Sequence, residues 1–135
     1  MAMETKAIRV LLVDDEPNVR RGLRMQLELE ADIAVVGEAD DGRTALDQVA
    51  AVSPDVVLMD LQMSGVDGLT ATSLLRSTRP GTPVVILSLH DGARARSDAA
   101  RAGAEAFVGK HEPAGVLLAA IRLAASRPPR ESEED

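Results

Sequence analysis

Five short apolar runs, rich in β-branched residues, recur at intervals along the chain, and this alternation constrains the fold more than any other feature. The runs occupy residues 8–13, 33–36, 56–59, 84–87 and 106–108. Their nearly continuous apolar character is typical of strands that are covered on both faces of a parallel sheet. Segments with helical spacing lie between the runs. The sequence therefore predicts five βα repeats and a doubly wound, five-stranded α/β fold with five helices.

The segments between the strands carry helical spacing and helix end signals. In the first, second and fifth segments, apolar residues recur three or four positions apart: Val19, Leu23 and Leu27; Ala45, Val49 and Val52; Leu117, Ile121 and Ala124. The spacing is less distinct at 69–75 and 95–102, which fill the third and fourth helical positions. Pro17 and Pro113 stand where helices should begin, and Gly103 stands where a left-handed cap is needed.

Charge and composition exclude several classes of protein. The 135 residues carry a formal net charge of −7 and contain no cysteine, which rules out a disulfide framework and a thiolate nucleophile. Arg20, Arg21 and Arg24 share one helix, but Glu28 and Glu30 follow them, so we interpret this cluster as a solvated helix face rather than a DNA-binding surface.

Domain organisation and location follow from the same inspection. We expect one domain over residues 7–126, and over 127–135 a disordered tail or the start of a truncated linker. No apolar stretch approaches the roughly 20 residues that a membrane-spanning helix needs. The first residues lack the layout of a secretory signal, so a cytoplasmic protein without membrane contact is expected.

Polar residues follow the predicted strands at one edge of the sheet, where doubly wound folds collect their functional groups. Asp14 and Asp15 follow the first strand, Asp60 ends the third, Ser88 ends the fourth and Lys110 follows the fifth. If the strand order is 2-1-3-4-5, the first and third strands are neighbours and their carboxylates converge. Clustered carboxylates suit Mg²⁺, while an ammonium and a hydroxyl suit a phosphoryl group. Asp60 is therefore a candidate in-line nucleophile in phosphoryl transfer.

Each of these residues also has an ordinary structural interpretation. Asp14 and Asp15 could be a turn acid and a helix N-cap. Asp60 could belong to a turn, Lys110 could be a solvated surface charge, and Ser88 could be a strand-end hydroxyl. The functional interpretation is favoured because all of them occur together, in register with the strand ends.

Four segments of the chain resemble the successive signatures of response regulator receiver domains. They are VLLVDDEP at 10–17, DVVLMDLQMSGVDGL at 55–69, VVILS at 84–88 and GAEAFVGK at 103–110. Any one of them would be a weak signal, but together they cover most of residues 8–125 in the family's order. The resemblance implies a flavodoxin-like fold with strand order 2-1-3-4-5 and a phosphorylation switch.

The resemblance also implies a role for each matching residue. Asp60 corresponds to the phospho-acceptor and Lys110 to the lysine that contacts the phosphoryl oxygens. Asp15 corresponds to the direct Mg²⁺ ligand, Asp14 to the acid that binds the ion through water, and Gln62 to the residue whose backbone carbonyl completes the protein ligands.

A second set of matching residues concerns the switch. Ser88 and Phe107 correspond to the pair in which the hydroxyl turns toward the phosphate and the ring turns inward, although Phe107 on residue type alone is more often plain core. His90 and Gln62 occupy positions that flank the phosphoryl group. We hypothesise that they tune the lifetime of the phosphorylated state, and an exposed histidine without a role is an equal alternative for His90.

The chain departs from the family pattern at three positions. Ser64 stands where proline is usual, and Ser88 replaces the commoner threonine. His111 follows Lys110 where many members have a proline with a cis peptide bond. A cis bond before histidine would cost about 2.5–4 kcal/mol, so we expect a trans bond there.

The family implies a histidine kinase as the phosphoryl donor and a switch in the surface formed by the fourth helix, fifth strand and fifth helix. The phrase VVGEADDGRTA at 35–45 resembles receivers attached to a LuxR-type helix-turn-helix domain. Phosphorylation would then control dimerisation, and DNA would be bound only through such an output domain. Its absence from the chain leaves a stand-alone receiver as an alternative.

Two rival functions belong to other classes. A phosphatase of the haloacid dehalogenase type needs a second acid two residues after its nucleophile, where this chain has Gln62, so we expect no enzyme activity beyond the domain's own phosphorylation and dephosphorylation. The second rival is a receiver-like binding module that works without phosphorylation. It is disfavoured because every required chemical group is present.

Overall fold

The computed structural model describes residues 6–61 and 67–127. Its five strands are β1 (Ile8–Val13), β2 (Ile33–Ala39), β3 (Val56–Asp60), β4 (Val84–Ser88) and β5 (Ala106–Gly109). Its five helices are α1 (Pro17–Glu28), α2 (Gly42–Val52), α3 (Gly68–Thr78), α4 (Ala93–Ala102) and α5 (Ala114–Ser126). Strands and helices alternate along the chain, as the sequence predicts.

All strand pairs are parallel, and the order across the sheet is β2-β1-β3-β4-β5. This confirms the predicted doubly wound fold. Because the first crossover runs from β1 to the edge strand β2 and the next returns to the other side of β1, helices cover both faces of the sheet. The reversal places the carboxyl ends of β1 and β3 side by side.

Two apolar layers, one on each face of the sheet, form the core. The first packs α1 and α5 against the sheet through Leu27, Leu117 and Ile121, with Leu58 among its strand residues. The second packs α2, α3 and α4 through small or branched residues such as Ala45, Val49, Leu75 and Ala99. The helical spacing that the sequence shows for α2 and α5 therefore marks their buried faces.

Predicted end signals match the observed helix ends. Pro17 is the first residue of α1, and α5 begins directly after Pro113. Gly103 caps α4 with a φ of 101°, a left-handed conformation that residues with a Cβ rarely adopt. The N-cap of α3 is Asp67, and a side-chain oxygen of Asp67 accepts the N–H of Thr70.

The arginine cluster on α1 corrects one sequence interpretation. Arg21 is exposed, as expected of a solvated face. Arg20 is not, because its side chain is only 17% exposed and its Nε lies 2.8 Å from a carboxylate oxygen of Glu38. Arg24 pairs with the same carboxylate at 2.5 Å. The error arose because the pairing partner, Glu38 on β2, is distant along the chain.

In the two described ranges of the chain, the helices are too short or too polar to cross a bilayer.

Candidate functional site

The candidate site lies at the carboxyl edge of the sheet, where β1 and β3 end next to each other. The register pairs Val13 with Met59, so the residues that follow them, Asp14 and Asp60, lie at the same level of the carboxyl edge. The next strand in the sheet, β4, ends one residue beyond the partner of Asp60, at Ser88. Sequence reasoning placed all three groups at strand ends, and the structure confirms that placement.

Three carboxylates meet at this edge. One oxygen from each of Asp14, Asp15 and Asp60 lies within 4.8 Å of the other two. Asp14 is 2% exposed and Asp60 is 6% exposed, while Asp15 is half-buried. The convergence predicted from strand order is confirmed. Two like charges about 4 Å apart repel by roughly 4 kcal/mol near a protein surface, so this arrangement needs positive charge.

Lys110 supplies part of that charge. Its Nζ lies 3.5 Å from Oδ2 of Asp14 and 3.7 Å from Oδ1 of Asp60. Three carboxylates against one ammonium leave two formal negative charges in excess. The atoms that could bind a metal here are carboxylate oxygens, and oxygen is the ligand that a hard divalent cation such as Mg²⁺ prefers. The residues present therefore fit a bound Mg²⁺.

The turn that carries Lys110 is held by main-chain and side-chain hydrogen bonds. The N–H of Lys110 donates to the carbonyl of Ser88 at 2.8 Å, and a carboxylate oxygen of Glu112 accepts the N–H of Gly109 at 2.7 Å. No peptide bond within the described ranges is cis, so the bond from Lys110 to His111 is trans, as predicted. The turn keeps Lys110 over the carboxylates without the family's usual proline.

Ser88 is buried at the end of β4, with 1% of its surface exposed. Its Oγ accepts the backbone N–H of His90 at 3.1 Å, which leaves the hydroxyl proton available to another acceptor. The His90 residue itself is exposed. The structure thus links His90 to the site through its backbone, and a role for its imidazole remains a hypothesis.

Phe107 lies on β5 opposite Ile86 and is half-buried against the layer that includes α3 and α4. The guanidinium carbon of Arg96, on α4, lies 4.7 Å from the centre of the ring, a distance at which cation–π attraction acts. Nη2 of Arg96 lies 3.9 Å from a carboxylate oxygen of Glu112. The aromatic ring is therefore connected through Arg96 to the turn that carries Lys110.

The acidic pair does not serve as the N-cap of α1. The N-cap is Glu16, which makes no side-chain capping hydrogen bond. Asp14 does stabilise the turn, because its Oδ1 accepts the N–H of Glu16 at 2.9 Å. That bond leaves Oδ2 facing Lys110, so the turn role and a role in the acidic cluster are compatible.

A cavity of about 150 Å³ opens over the carboxylates and is lined by Asp14, Asp15, Glu16, Val19, Asp60, Leu89 and Lys110. A larger cavity of about 250 Å³ lies beside it between α1 and α5, and most of its lining residues are apolar. The smaller cavity is the candidate site, since the three carboxylates and the ammonium of Lys110 line it.

Sequence reasoning missed two residues that support the site. An added Cβ at Gly68 would lie 2.3 Å from the backbone oxygen of Asp60, so only glycine allows α3 to approach Asp60 this closely. The fully buried hydroxyl of Thr72 donates to the carbonyl of Gly68 at 2.7 Å. Gln62 and Ser64 lie outside the described residues, as do residues 128–135 of the predicted tail.

Comparisons with known proteins agree with this geometry. Residues 10–122 match the family model of the response regulator receiver domain. The chain is 38% identical over 122 residues to the nitrate/nitrite response regulator protein NarP of Escherichia coli (strain K12), a match that covers 90% of this chain and 57% of NarP. The chain therefore spans a little over half of the length of curated relatives of this kind.

Solved structures give the same result. A two-component response regulator of the LuxR family from Aurantimonas sp. SI85-9A1 superimposes with a TM-score of 0.87 at 33% identity, over 94% of this chain and 91% of that one. The BeF₃-activated N-terminal receiver domain of RstA from Klebsiella pneumoniae gives 0.81 at 32% identity, over 88% and 99%. Because the family model matches residues 10–122, which is most of the chain, this chain belongs to the receiver domains of two-component response regulators.

Proposed function

We propose that this chain is a Mg²⁺-dependent phosphorylation switch in which Asp60 accepts the phosphoryl group. One observation carries the proposal. The buried carboxylate of Asp60 lies beside those of Asp14 and Asp15 and 3.7 Å from the ammonium of Lys110. A buried acid with excess negative charge around it and a fixed lysine within reach is prepared for a cation and a phosphoryl anion together.

The metal would be held by Asp15, Asp14 and Asp60, with the backbone carbonyl of Gln62 as a further ligand. Bound there, Mg²⁺ would neutralise the carboxylates and the charge on the incoming phosphoryl oxygens. The support is the all-oxygen donor set and its two excess negative charges. The likeness to the BeF₃-activated RstA receiver also supports the proposal.

In the proposed reaction the donor is a phosphohistidine on a partner histidine kinase. A carboxylate oxygen of Asp60 attacks the phosphorus and forms a P–O bond, while the P–N bond breaks and its electron pair returns to the imidazole nitrogen. Lys110 lies where its ammonium can bind a phosphoryl oxygen. The hydroxyl of Ser88 can donate its proton in a hydrogen bond to a second phosphoryl oxygen. Hydrolysis of the acyl phosphate restores Asp60, and we propose no turnover of other substrates because Gln62 stands where a phosphatase would place its second acid.

Phosphorylation would be read through Ser88 and Phe107. Rotation of the Ser88 hydroxyl toward the phosphate would break its contact with the His90 N–H and rearrange the loop before α4. The half-buried ring of Phe107 lies next to α4, so its inward rotation would alter the surface formed by α4, β5 and α5. Allosteric coupling of this type typically amounts to about 1–3 kcal/mol.

We further propose that the switch controls a transcriptional output domain in the cytoplasm, through which DNA would be bound, and that phosphorylation promotes a homodimer. The support is the likeness to response regulators of the LuxR family and to NarP, of which this chain spans 57%.

His90 and Gln62 would tune the lifetime of the acyl phosphate. Unchanged dephosphorylation rates in both His90→Ala and Gln62→Ala would contradict that role.

The central proposal is tested by incubating the chain with Mg²⁺ and acetyl phosphate and measuring its intact mass. We expect a gain of one phosphoryl group that is labile to base and depends on Mg²⁺. Asp60→Asn should abolish the gain. Asp40→Asn is the matched control, because Asp40 is an exposed acid just beyond the end of β2, on the same edge of the sheet, and this variant should be phosphorylated like the parent.

Other outcomes identify the rival functions. Continuous release of phosphate at enzyme-like rates would indicate a phosphatase. An unchanged mass at all Mg²⁺ concentrations would indicate a binding module that works without phosphorylation. Equal phosphorylation of Asp60→Asn and the parent would assign the acceptor to another residue.

A further inference from the structure

The carbonyl oxygen of Asp14 accepts a hydrogen bond from a side chain rather than from the sheet. The donor is Nη1 of Arg20, at 2.6 Å. From this contact we infer that Arg20 is a positioning residue for the metal site: it fixes the loop that carries Asp14 and Asp15 and thereby sets the affinity for Mg²⁺. The inference rests on the proposed function, since it concerns the same site.

The loop leaves the sheet just where main-chain support ends. The N–H of Asp14 donates to the carbonyl of Ala39 at 3.1 Å, and Ala39 is the last residue of β2. Beyond this hydrogen bond, the guanidinium of Arg20 donates to the carbonyl of Asp14, as a main-chain N–H of a neighbouring strand would. Arg20 lies on the first turns of α1, directly after the loop, so helix and loop are tied together.

Fixing this carbonyl also orients Asp15. The C=O of Asp14 and the N–H of Asp15 belong to one planar peptide unit, so the direction of the carbonyl determines how the backbone enters Asp15. On the other side, Oδ1 of Asp14 accepts the N–H of Glu16. The loop is therefore held before and after Asp15, the least buried of the three clustered acids.

The guanidinium is itself held in place. Its Nε donates to Glu38 at 2.8 Å, and Glu38 also pairs with Arg24, whose Nε lies 3.4 Å from Glu28. Two arginines and two glutamates leave no net charge. Arg20 can thus lie close to a cation site without adding uncompensated positive charge, which points to a geometric role. The rigid fork of arginine can donate in two directions, whereas a lysine ammonium is a single flexible point.

The test is Mg²⁺ binding to the whole chain, measured by calorimetry without a phosphodonor. Hydrogen-bond partners of metal ligands commonly contribute 10- to 100-fold to affinity, so we expect Arg20→Gln to raise the Kd by about 10-fold. Arg21→Gln is the matched control, because it removes the same charge from an exposed neighbouring position on α1. Loss of positive charge alone should tighten binding of a cation, so the two variants should shift in opposite directions.

Two further measurements separate positioning from general damage. Arg20→Lys keeps the charge but not the two-way hydrogen bonding, so it should also weaken Mg²⁺ binding, and it decides the question if Arg20→Gln fails to fold. With acetyl phosphate, the Mg²⁺ concentration for half-maximal phosphorylation should rise in both Arg20 variants. The rate at saturating Mg²⁺ should stay within about twofold of the parent.

The inference is overturned if Arg20→Gln binds Mg²⁺ as tightly as Arg21→Gln, or if Arg20→Lys has the parent's Kd. Failure of the proposed function looks different. In that case the parent itself would show no Mg²⁺ binding that depends on Asp15, which Asp15→Asn reveals, and the Arg20 variants would have nothing to alter.

Discussion

Nζ of Lys110 lies 3.7 Å from Oδ1 of Asp60, although 50 residues separate them in the chain. Because the ammonium is the only cationic group among the described residues that line the acidic cavity, Lys110→Met should slow phosphorylation by acetyl phosphate on the order of 100-fold, as loss of one transition-state donor typically does. Mg²⁺ binding should persist or tighten, since a positive charge is lost. Intact mass against time and calorimetry measure the two effects.

Lys6→Met is the control for that substitution, since Lys6 is the only other lysine in the sequence. It should be phosphorylated at the parental rate. A Lys110→Met variant that is phosphorylated as fast as Lys6→Met would show that the ammonium does not act on the phosphoryl group.

Gly68 is predicted to be the least replaceable glycine near the site. A methyl group there would meet the backbone oxygen of Asp60 at 2.3 Å and Cα of Leu61 at 2.8 Å. Gly68→Ala should therefore lower the free energy of unfolding by about 1–3 kcal/mol. It should also slow phosphorylation on the order of 10-fold, because the proposed acceptor, Asp60, must shift. Urea denaturation and intact mass measure the two effects.

Gly22→Ala provides the matched control for Gly68→Ala. Gly22 lies inside α1 with nothing within 4 Å of the added methyl group, so alanine should stabilise the chain by about 0.5–1 kcal/mol through helix propensity. If both alanine variants were equally stable, the close approach of α3 to Asp60 would have no energetic consequence.

Much of the fold is predictable because its signals are local. Continuous apolar runs mark the buried strands, and Pro17 and Gly103 mark helix ends by their own backbone restrictions. The sequence prediction ends some strands too early, since β2 extends to Ala39 and not only to Val36. Gly37 and Glu38, in the part of β2 that was not predicted, are weak strand formers that pair with β1 only because the tertiary structure provides the partner.

The supporting contacts of the site were not predictable in the same way. Arg20, Glu38 and Gly68 are ordinary residues in the sequence, and their importance depends on distances between separate elements. Arg20 was interpreted as part of a solvated face because nothing local shows that Glu38 lies opposite. The carboxylates could be predicted to converge since the rule that functional groups gather at strand ends applies to the whole fold.

The ion pairs of Arg122 predict a loss of stability in acid. Its guanidinium binds both carboxylate oxygens of Asp32 at 2.8 and 2.9 Å and also binds Glu30, joining α5 to the segment between α1 and β2. The hydrogen bonds from Arg122 hold the pKa of Asp32 below its usual range. Because the pKa of Asp32 is lower in the folded chain than in the unfolded chain, its ionised form stabilises the fold at pH values above the unfolded pKa. This stabilisation is lost as the pH falls through the pKa of the folded chain.

The destabilisation caused by Arg122→Met should accordingly be full at pH 7 and should shrink below about pH 4, the ordinary range of an aspartate. Urea denaturation at several pH values measures the difference between variant and parent. Arg21→Met, on an exposed position, should show a small difference at every pH. A destabilisation by Arg122→Met that stayed constant down to pH 3 would contradict the assignment to ion pairing.

Phe107 offers a direct view of the proposed switch because it is the only aromatic residue in the chain. Labelling with 4-fluorophenylalanine therefore gives one ¹⁹F resonance. The Arg96 guanidinium, 4.7 Å from the ring centre, should hold the ring in its half-buried position. Arg96→Ala should shift or broaden the resonance toward that of the chain with Mg²⁺ and BeF₃⁻. Arg101→Ala, an exposed arginine on the same helix, should leave the resonance unchanged. A resonance that responds to neither Arg96→Ala nor BeF₃⁻ would remove Phe107 from the switch.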